Sequence, residues 1–425
     1  MGDDLSNKYA KILFVFCGGG CKALFQAVAA TELVKAGFTP DHIMSASAGT
    51  CNALGFVEQP GVAGAEKTLR VWEKYINSPD AIYEVHPFLR ERLAHLLGVV
   101  PQATQSWGPS GSVLHDLRRA VTFLPLVISL GVRMPLRIAG RAVSVVFRLM
   151  DAFASPHKSF RRVVQAPEIQ EMFGELDKYF EFKRMKAFLD PLPLLARLGG
   201  EFDLQKVLAS PIVWHILTER YEDGATVMFS NRDADVSIDT RDDSRSKKGK
   251  LDLFFQRIRA SMALYPLFEM VEMKGQRFLD ADLANPLPVE EAFSLSCDTI
   301  FMFLNVPRQT VRAEPNPLRD LGELNDLMRL NERYIHHRIK AAQEMAKERG
   351  VNLFIIRPEE IPPGLGLLEI DRNVIEFVKT HERQRMKEYL GNLDAHNLRM
   401  ASPLPHPSCV SLFGEGSKEG PCAGY

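Results

Sequence analysis

The chain of 425 residues lacks several features that define familiar classes of protein. Its six cysteines are scattered and form no CxxC pair, so neither a disulfide scaffold nor a zinc site is predicted, and a reducing compartment is the simpler interpretation. The formal net charge of −1 gives no general electrostatic reason to bind nucleic acid. Residues 1–10 do not have the basic-then-apolar order of a secretory signal. These absences predict a cytoplasmic globular protein that does not act on nucleic acid.

Short apolar runs and helical patterns alternate at the start of the chain. Residues 11–17 form a continuous apolar run followed by glycine, which is typical of a buried parallel strand. Residues 22–36 have helical spacing, and residues 42–47 and 48–57 repeat the order of strand and then helix. This alternation predicts an α/β fold with a mostly parallel sheet.

The remaining chain divides into regions of different pattern. Residues 75–200 are mostly helical and irregular, and we interpret them as an insertion or lid within a catalytic domain that covers residues 8–360. A C-terminal helical segment is expected over residues 361–400. Residues 401–425 are rich in Pro, Gly and Ser, which predicts a disordered tail.

Further strands are predicted in the second half of the chain, at residues 225–230, 299–304 and 352–357. A long helical pattern separates the last two strands and carries Ile335 and Ile339 on its apolar side. The charged residues 232–250 lie between two apolar regions. We expect them to form an exposed loop.

Three consecutive glycines, Gly18, Gly19 and Gly20, follow the first predicted strand and are called the glycine loop below. A phosphate-binding P-loop requires GxxxxGK[ST], and the residues after Gly20 do not fit it. The dinucleotide pattern G-x-G-x-x-G/A is matched on paper when Ala23 is its last member. That pattern also needs an acidic residue at the end of the second strand, whereas Asp41 lies before it. Nucleotide binding is therefore a weak alternative.

The second predicted strand ends in the sequence SASAG, residues 45–49. A nucleophilic serine on a strained strand-to-helix turn needs small residues two positions before and after it. Ser45 and Gly49 meet this need for Ser47, although the usual pattern has glycine in the first place. The alternative is that Ser47 only caps the following helix. Beside the glycine loop, we interpret Ser47 as a nucleophile that attacks an ester, with the N–H groups of the loop as donors to the oxyanion.

A serine nucleophile needs a base, and no histidine lies in a motif-like position. His336 and His337 fall on the predicted long helix. The stronger candidate is Asp280, because an apolar lead-in and a turn rich in Pro and Asn place it at a strand end. Asp282 puts a second carboxylate nearby, which either raises a pKa or simply faces solvent. Asp282 is also an alternative base.

The three motifs together resemble those of the patatin-like phospholipases. That family has a glycine triplet with Lys or Arg two residues on, then G-x-S-x-G, then a distant D-G-G or D-G-A. The corresponding residues here are 18–22, 45–49 and 280–282, in the same order. The resemblance covers roughly residues 10–60 and 205–310, and three ordered motifs are far more specific than one.

The resemblance implies a three-layer α/β/α hydrolase with a central mostly parallel sheet and a helical insertion. It implies a lipid acyl hydrolase, similar to a phospholipase A or lysophospholipase, that uses a Ser47–Asp280 dyad and an acyl-enzyme without metal or cofactor. Lys22 would attract a phospholipid head group, or else be an ordinary solvated lysine. Ala281 and Asp282 replace both glycines of the family's last motif. A catalytically inactive lipid-binding or regulatory protein is therefore the alternative.

A basic stretch within the predicted insertion suggests contact with lipid. Residues 117–150 contain no acidic residue, and several arginines share one helical stripe. The longest uncharged run, residues 120–132, is too short to span a bilayer. A basic amphipathic helix lies on an anionic bilayer surface or packs on the core as a lid. We expect a peripheral membrane association, a membrane phospholipid or other acyl-ester lipid as substrate, and leave open an activating partner.

Overall fold

The structure is a computed structural model that describes most of the predicted catalytic domain. The described ranges are 11–88, 91, 186–187, 189–237, 244–265, 267–306, 325–362, 364–368, 370–397 and 410–411. The basic stretch 117–150 and most of the predicted tail lie outside these ranges. Among the described residues, no helix has the length and apolar character needed to cross a membrane.

Eleven strands and ten helices are named here for the described residues. The strands are β1 (Ile12–Phe16), β2 (His42–Ser45), β3 (Glu84–Val85), β4 (Leu189–Asp190), β5 (Val213–Arg220), β6 (Ala225–Ser230), β7 (Val271–Met273), β8 (Gln276–Asp280), β9 (Thr299–Phe303), β10 (Asn352–Ile356) and β11 (Val410–Ser411). The helices are α1 (Leu24–Lys35), α2 (Ala48–Glu58), α3 (Val62–Tyr75), α4 (Pro79–Ile82), α5 (Leu192–Glu201), α6 (Leu204–Ala209), α7 (Ser244–Ser261), α8 (Val289–Ser294), α9 (Asn325–Arg349) and α10 (Arg372–Asn397). Short 3₁₀ turns cover Gly20–Ala23 and Ala281–Leu283.

The main sheet has nine strands among the described residues, in the order β11-β10-β9-β1-β2-β5-β8-β7, with β6 paired to β5. The strands from β11 to β5 run parallel to one another. Antiparallel pairing is confined to β5–β6, β5–β8 and β7–β8. The prediction of a mostly parallel sheet is therefore confirmed.

The central strand β1 explains why the fold has three layers. All five of its residues are buried, because β1 lies between β2 and β9 and both of its faces are covered. Phe14 and Phe16 face one apolar cluster, which contains residues of α1, α2, α3, α7 and α10. Leu13 and Val15 face a second cluster with residues of α8 and α9. The predicted α/β/α hydrolase architecture is therefore confirmed.

The charged segment 232–250 differs in part from its prediction. Helix α7 begins at Ser244, so the last residues of the segment are helical and exposed rather than a loop. The reason lies further along the same helix, where Phe254 and Ile258 are fully buried. Their burial stabilises a helix that extends back into a polar first half, since tertiary packing supplies most of a helix's stability.

The two ends of the predicted insertion lie side by side. Strands β3 and β4 pair antiparallel, which places residues 84–85 next to residues 189–190. Helix α5 follows directly after β4. The middle of the predicted range 75–200 lies outside the described residues.

Helices α9 and α10 complete the two helical layers. On α9, Ile335 is buried in the second apolar cluster and Ile339 packs against it, while His336 and His337 are exposed. Helix α10 packs against α1 and α3, where Lys379 forms an ion pair with Glu73. Within the predicted tail, the structure describes Val410 and Ser411, which pair with β10 at the edge of the sheet.

Candidate active site

The glycine loop and Ser47 lie at the same edge of the sheet. The loop follows the end of β1, and Ser47 follows the end of the neighbouring parallel strand β2. Ligands of open α/β sheets bind in the crevice at the carboxyl ends of the strands. The two motifs that the sequence places together are therefore adjacent in space.

Ser47 has a strained backbone conformation, with φ 54° and ψ −133°. A positive φ is uncommon for a residue other than glycine and is often found at functional sites. Although Ser47 occupies the N-cap position of α2, its side chain makes no capping hydrogen bond. Gly49 allows this turn, because a Cβ at that position would lie 2.4 Å from the carbonyl oxygen of Phe16. The turn presents the Ser47 side chain instead of using it as a cap.

Buried hydrogen bonds hold this turn in place. We call the residues that form them the hydroxyl network: Trp214, Ser45, Thr50 and Ser261. Trp214 Nε1 donates to Ser45 Oγ at 2.8 Å, and Ser45 Oγ lies 3.2 Å from Thr50 Oγ1. Thr50 Oγ1 lies 3.0 Å from Ser261 Oγ. The N–H of Ser47 donates to both the carbonyl oxygen and Oγ of Ser261, at 3.0 and 3.2 Å.

The hydroxyl network explains why serine stands where the common pattern has glycine. The Ser45 side chain is fully buried and accepts the indole N–H of Trp214. A glycine in its place would leave that donor without this acceptor. Sequence reasoning missed Trp214, Thr50 and Ser261, since no motif connects them along the chain.

Asp280 lies beside the Ser47 turn because β2 and β8 pair with successive parts of the same edge of β5. Strand β2 pairs with β5 up to Ser45, which lies opposite Ile216. Strand β6 occupies the other edge of β5. Strand β8 therefore pairs with the edge that β2 has left, and its last residue, Asp280, lies opposite Thr218. The prediction that Asp280 ends a strand is confirmed, and this register brings it beside the Ser47 turn.

The Asp280 carboxyl group is fully buried and only partly hydrogen-bonded. Its Oδ1 accepts the N–H of Asp282 at 2.9 Å, and its own N–H donates to the carbonyl oxygen of Ala263 at 3.1 Å. Oδ2 has no well-formed hydrogen bond among the described residues. Burial, and then the charge of Asp282, raise the pKa of Asp280 well above its usual range, while interaction with the Ser47 hydroxyl lowers it.

The structure changes the role expected for Gly18. Its N–H donates to Asp282 Oδ1 at 3.2 Å, so Gly18 does not present a free donor to an oxyanion in this conformation. Its carbonyl oxygen accepts Asn305 Nδ2 at 2.7 Å, which fixes the same stretch of backbone. Sequence reasoning did not find Asn305, because it follows β9, far along the chain from the glycine loop.

Gly19 and Gly20 require glycine for their own backbone. Their φ angles are +136° and +62°, in the region that glycine adopts without steric cost. A Cβ on Gly20 would also lie 1.8 Å from the carbonyl oxygen of Leu367. Among the described residues, the N–H groups of Gly19 and Gly20 donate to no acceptor. The role of the glycine loop as oxyanion donor stays a prediction, and in this conformation the N–H groups of Gly19 and Gly20 are better placed for it than that of Gly18.

Lys22 lies half-buried in the 3₁₀ turn Gly20–Ala23, which begins at the last residue of the glycine loop. Its positive charge lowers the pKa of Asp282. Burial is the larger effect on Asp282 and raises the pKa of that carboxyl to about 6. Lys22 thus acts electrostatically within the site, and its predicted contact with a lipid head group stays a prediction.

Two described cysteines and two described histidines near the sheet are buried or partly buried titratable groups besides the two aspartates. Burial raises the pKa of Cys17 well above its usual range and that of Cys51 to about 12, so both are neutral thiols. His42 and His215 contact each other at the opposite, amino-terminal end of their strands. Among the described residues, no group of three or more His, Cys, Asp and Glu side chains is arranged to hold a metal ion.

Comparison with known proteins assigns the chain to a family. The sequence profile described as "Patatin: Patatin-like phospholipase" matches residues 14–293, which is more than half of the chain and includes the glycine loop, Ser47 and Asp280. The chain belongs to the patatin-like phospholipase family, whose members act as lipid acyl hydrolases. The resemblance read from the three motifs is confirmed.

Other comparisons find only distant similarity. A search of curated proteins finds no significant sequence match. Among solved structures, the crystal structure of VipD from Legionella pneumophila is similar, with 12% sequence identity and a TM-score of 0.32. That alignment covers 92% of this chain and 67% of the VipD chain.

Proposed function

We propose that this protein hydrolyses fatty-acyl esters of lipids, as a phospholipase A or lysophospholipase does, through Ser47 and Asp280. The observation that carries the proposal is the strained Ser47 turn directly beside the buried Asp280 carboxyl group. A nucleophile needs an adjacent base, and strained backbone at a site is a cost that function explains. Membership of the patatin-like phospholipase family supports the same reaction class.

In the proposed acylation step, Ser47 Oγ attacks the ester carbonyl carbon while its proton moves to Asp280 Oδ2. The resulting oxyanion accepts hydrogen bonds from the N–H groups of Gly19 and Gly20, and each such donor is worth about 3 kcal/mol of transition-state stabilisation. The N-terminus of α2 adds a favourable dipole. Collapse of the tetrahedral intermediate expels the alcohol, which takes the proton from Asp280.

In the proposed deacylation step, Asp280 takes a proton from water, and the hydroxide attacks the acyl-enzyme carbonyl carbon. The intermediate collapses to release the fatty acid, and Ser47 Oγ recovers its proton from Asp280. Asp280 must be ionised at the start of both steps. Since burial and Asp282 raise its pKa, activity should increase with pH over a range higher than that of an ordinary aspartate.

The substrate and its location are further parts of the proposal. Lys22 and the basic stretch 117–150 favour a phospholipid at a membrane surface over a free soluble ester. These charges support a peripheral membrane association, and we extend the proposal to a cytoplasmic location and leave open an activating partner. Each of these points needs its own measurement, since liposome sedimentation tests the membrane contact alone.

A second candidate function is lipid binding without hydrolysis. It is favoured by the raised pKa of Asp280, since a protonated carboxyl group cannot act as the base. This function predicts that the protein binds liposomes without releasing fatty acid. It also predicts that Ser47→Ala leaves liposome binding unchanged and removes no activity, because there is none to remove.

The first experiment is labelling with a fluorescent fluorophosphonate in the presence of phosphatidylcholine liposomes, at pH 7 and pH 9. We expect wild type to be labelled, more strongly at pH 9, and Ser47→Ala to be unlabelled. Ser294→Ala is the matched control, because Ser294 is an exposed serine on α8. Release of fatty acid from the same liposomes must follow the labelling. Wild type that stays unlabelled at both pH values would reject hydrolysis and favour lipid binding.

A further inference from the structure

Asp282 contacts both halves of the proposed active site. Its Oδ1 accepts the N–H of Gly18 in the glycine loop at 3.2 Å, and its own N–H donates to Asp280 Oδ1 at 2.9 Å. Through its carboxyl group and its backbone N–H, Asp282 therefore links the loop after β1 to the end of β8; Gly18 and Asp282 are 264 residues apart in the chain.

Gly18 and Asp282 also share one small volume. A Cβ on Gly18 would lie 2.3 Å from Asp282 Cγ and 2.5 Å from Asp282 Oδ2. Unlike Gly19 and Gly20, Gly18 does not have a positive φ. Its need for glycine comes from the neighbouring carboxyl group and not from its own backbone conformation.

We propose that Asp282 is a positioning residue, whose carboxylate ties Gly18 to the strand end that carries Asp280 and so holds the oxyanion donors and the base as one unit. The inference rests on the proposed function. Asp282 and Asn305 hold the N–H and the carbonyl oxygen of Gly18, so the backbone that leads into Gly19 and Gly20 is fixed at its start. Asp282 acts through these groups and does not itself take the Ser47 proton.

Asp282 has a second effect on the base through its charge. The ionised groups that act on Asp280 are Asp282 and, more weakly, Glu219 on β5, and both raise its pKa. The groups that act on Asp282 are the Gly18 N–H and Lys22, and both favour its ionised form. The Cys17 thiol also faces Asp282, but it is neutral. Removing the charge of Asp282 should therefore lower the pH at which Asp280 ionises.

Two substitutions separate the hydrogen bond from the charge. Asp282→Asn keeps an oxygen that can accept the Gly18 N–H, whereas Asp282→Ala removes it, and both remove the charge. The measurement is kcat and KM for a soluble p-nitrophenyl ester from pH 5 to 10. We expect both variants to rise at lower pH than wild type. We expect the plateau kcat to fall about tenfold further in Asp282→Ala than in Asp282→Asn, with little change in KM.

Glu219→Gln is the matched control for charge, because Glu219 also raises the pKa of Asp280 but makes no hydrogen bond to the glycine loop. It should shift the pH profile slightly and leave the plateau unchanged. Equal plateaus for Asp282→Ala and wild type would overturn the positioning role. Loss of all activity in Asp282→Asn, with activity retained in Asp280→Asn, would overturn it in another way, by making Asp282 the base.

The shared volume gives an independent test by mutual rescue. Gly18→Ala should distort the loop and reduce activity and thermal stability, and the double variant Gly18→Ala/Asp282→Gly should recover part of both. Gly19→Ala is the control, because its Cβ would meet Asn305 at 2.7 Å and its φ is positive. Asp282→Gly should not rescue it.

Thermal stability also distinguishes failure of this inference from failure of the proposed function. If wild type has no hydrolase activity, the proposed function fails and the positioning role fails with it. The steric contact between Gly18 and Asp282 is then still tested by the melting temperatures of Gly18→Ala, Asp282→Gly and the double variant. If wild type is active but Asp282→Ala has the same plateau kcat, the inference fails while the proposed function stands.

Discussion

Two pairs of titratable residues lie near opposite ends of the paired strands β2 and β5. Near the carboxyl end are Asp280 and Asp282, and near the amino end are His42 and His215, with 3.1 Å between His42 Nδ1 and His215 Nε2. Burial favours the neutral form in both pairs, so the pKa of each carboxyl group is raised and that of each imidazole is lowered. The two pairs differ in the balance of the groups around them.

The difference lies in the partners of each pair. The carboxyl pair faces the Ser47 hydroxyl, the Gly18 N–H and Lys22, each of which favours negative charge. The imidazole pair has Lys11 nearby, which disfavours positive charge on both rings, while Asp41 offsets this in part at His42 alone. The carboxyl pair can therefore ionise when catalysis requires a base, whereas burial and Lys11 favour the neutral form of the imidazole pair. Buried titratable groups alone do not identify an active site, and their partners decide.

The largest expected effect is the loss of activity in Ser47→Ala. The nucleophile is removed while the fold stays intact, so kcat should fall by at least about 10³-fold. Fatty-acid release measures the activity, and circular dichroism with a thermal melt measures the fold. A matching loss in His215→Gln would break the comparison, because the imidazole end would then be part of the catalytic site.

The second effect is acid destabilisation that originates at the imidazole end. The pKa of His215 is lowered to about 4 in the folded protein, against about 6.5 when unfolded. The unfolded state therefore binds more protons between these values, and stability falls as the pH drops from 6.5 to 4. The loss is roughly 3 kcal/mol in the free energy of unfolding, from about 1.4 kcal/mol per pKa unit.

Urea unfolding at pH 7 and pH 4, on wild type and His215→Gln, measures this loss. The variant should lose less stability than wild type over this range, and His337→Gln, on the exposed face of α9, should behave as wild type.

The carboxyl end changes the free energy of unfolding in the opposite direction as the pH falls. The pKa of Asp282 is about 6 when folded, so protonation stabilises the fold as the pH falls from 6 to about 3.9. Only the difference between wild type and variant therefore isolates the histidine.

The third effect tests the support beneath the Ser47 turn. Ser45→Gly restores the common motif but leaves Trp214 Nε1 without its acceptor at 2.8 Å. An unsatisfied buried donor costs about 1–3 kcal/mol, so the melting temperature should fall while fluorophosphonate labelling persists. Ser45→Ala is the comparison variant, since it removes the same hydroxyl without adding the flexibility of glycine. If neither variant is less stable than wild type, the network does not support the turn.

The smallest effect is expected from Lys22→Met, which removes a positive charge that favours the ionised form of Asp282. Loss of the positive charge should raise the pKa of Asp282, since Lys22 lowers it. A partly exposed charge contributes about 1 kcal/mol or less, so kcat on a soluble ester should change less than about fivefold. A much larger loss on anionic than on zwitterionic liposomes would support the predicted contact with a lipid head group.

Much of the fold could be predicted from sequence, because local pattern reflects local structure. The apolar run before the glycine loop is β1, and the long pattern with Ile335 is α9. The sequence pattern failed at Ser244, where helix α7 extends into polar residues because Phe254 and Ile258 anchor it in the core. Such anchoring depends on contacts that a local window does not contain.

By itself, the sequence determined the candidate residues. The small residues around Ser47, the three glycines after β1 and the lone strand-ending Asp280 are local requirements of backbone geometry and chemistry, and each is readable in a short window. Only the tertiary structure decided how they meet. β8 pairs with the edge of β5 that β2 leaves, which brings Asp280 to Ser47. The same approach brings Asp282 to Gly18, and these pairings depend on register between distant segments, which no local spacing encodes.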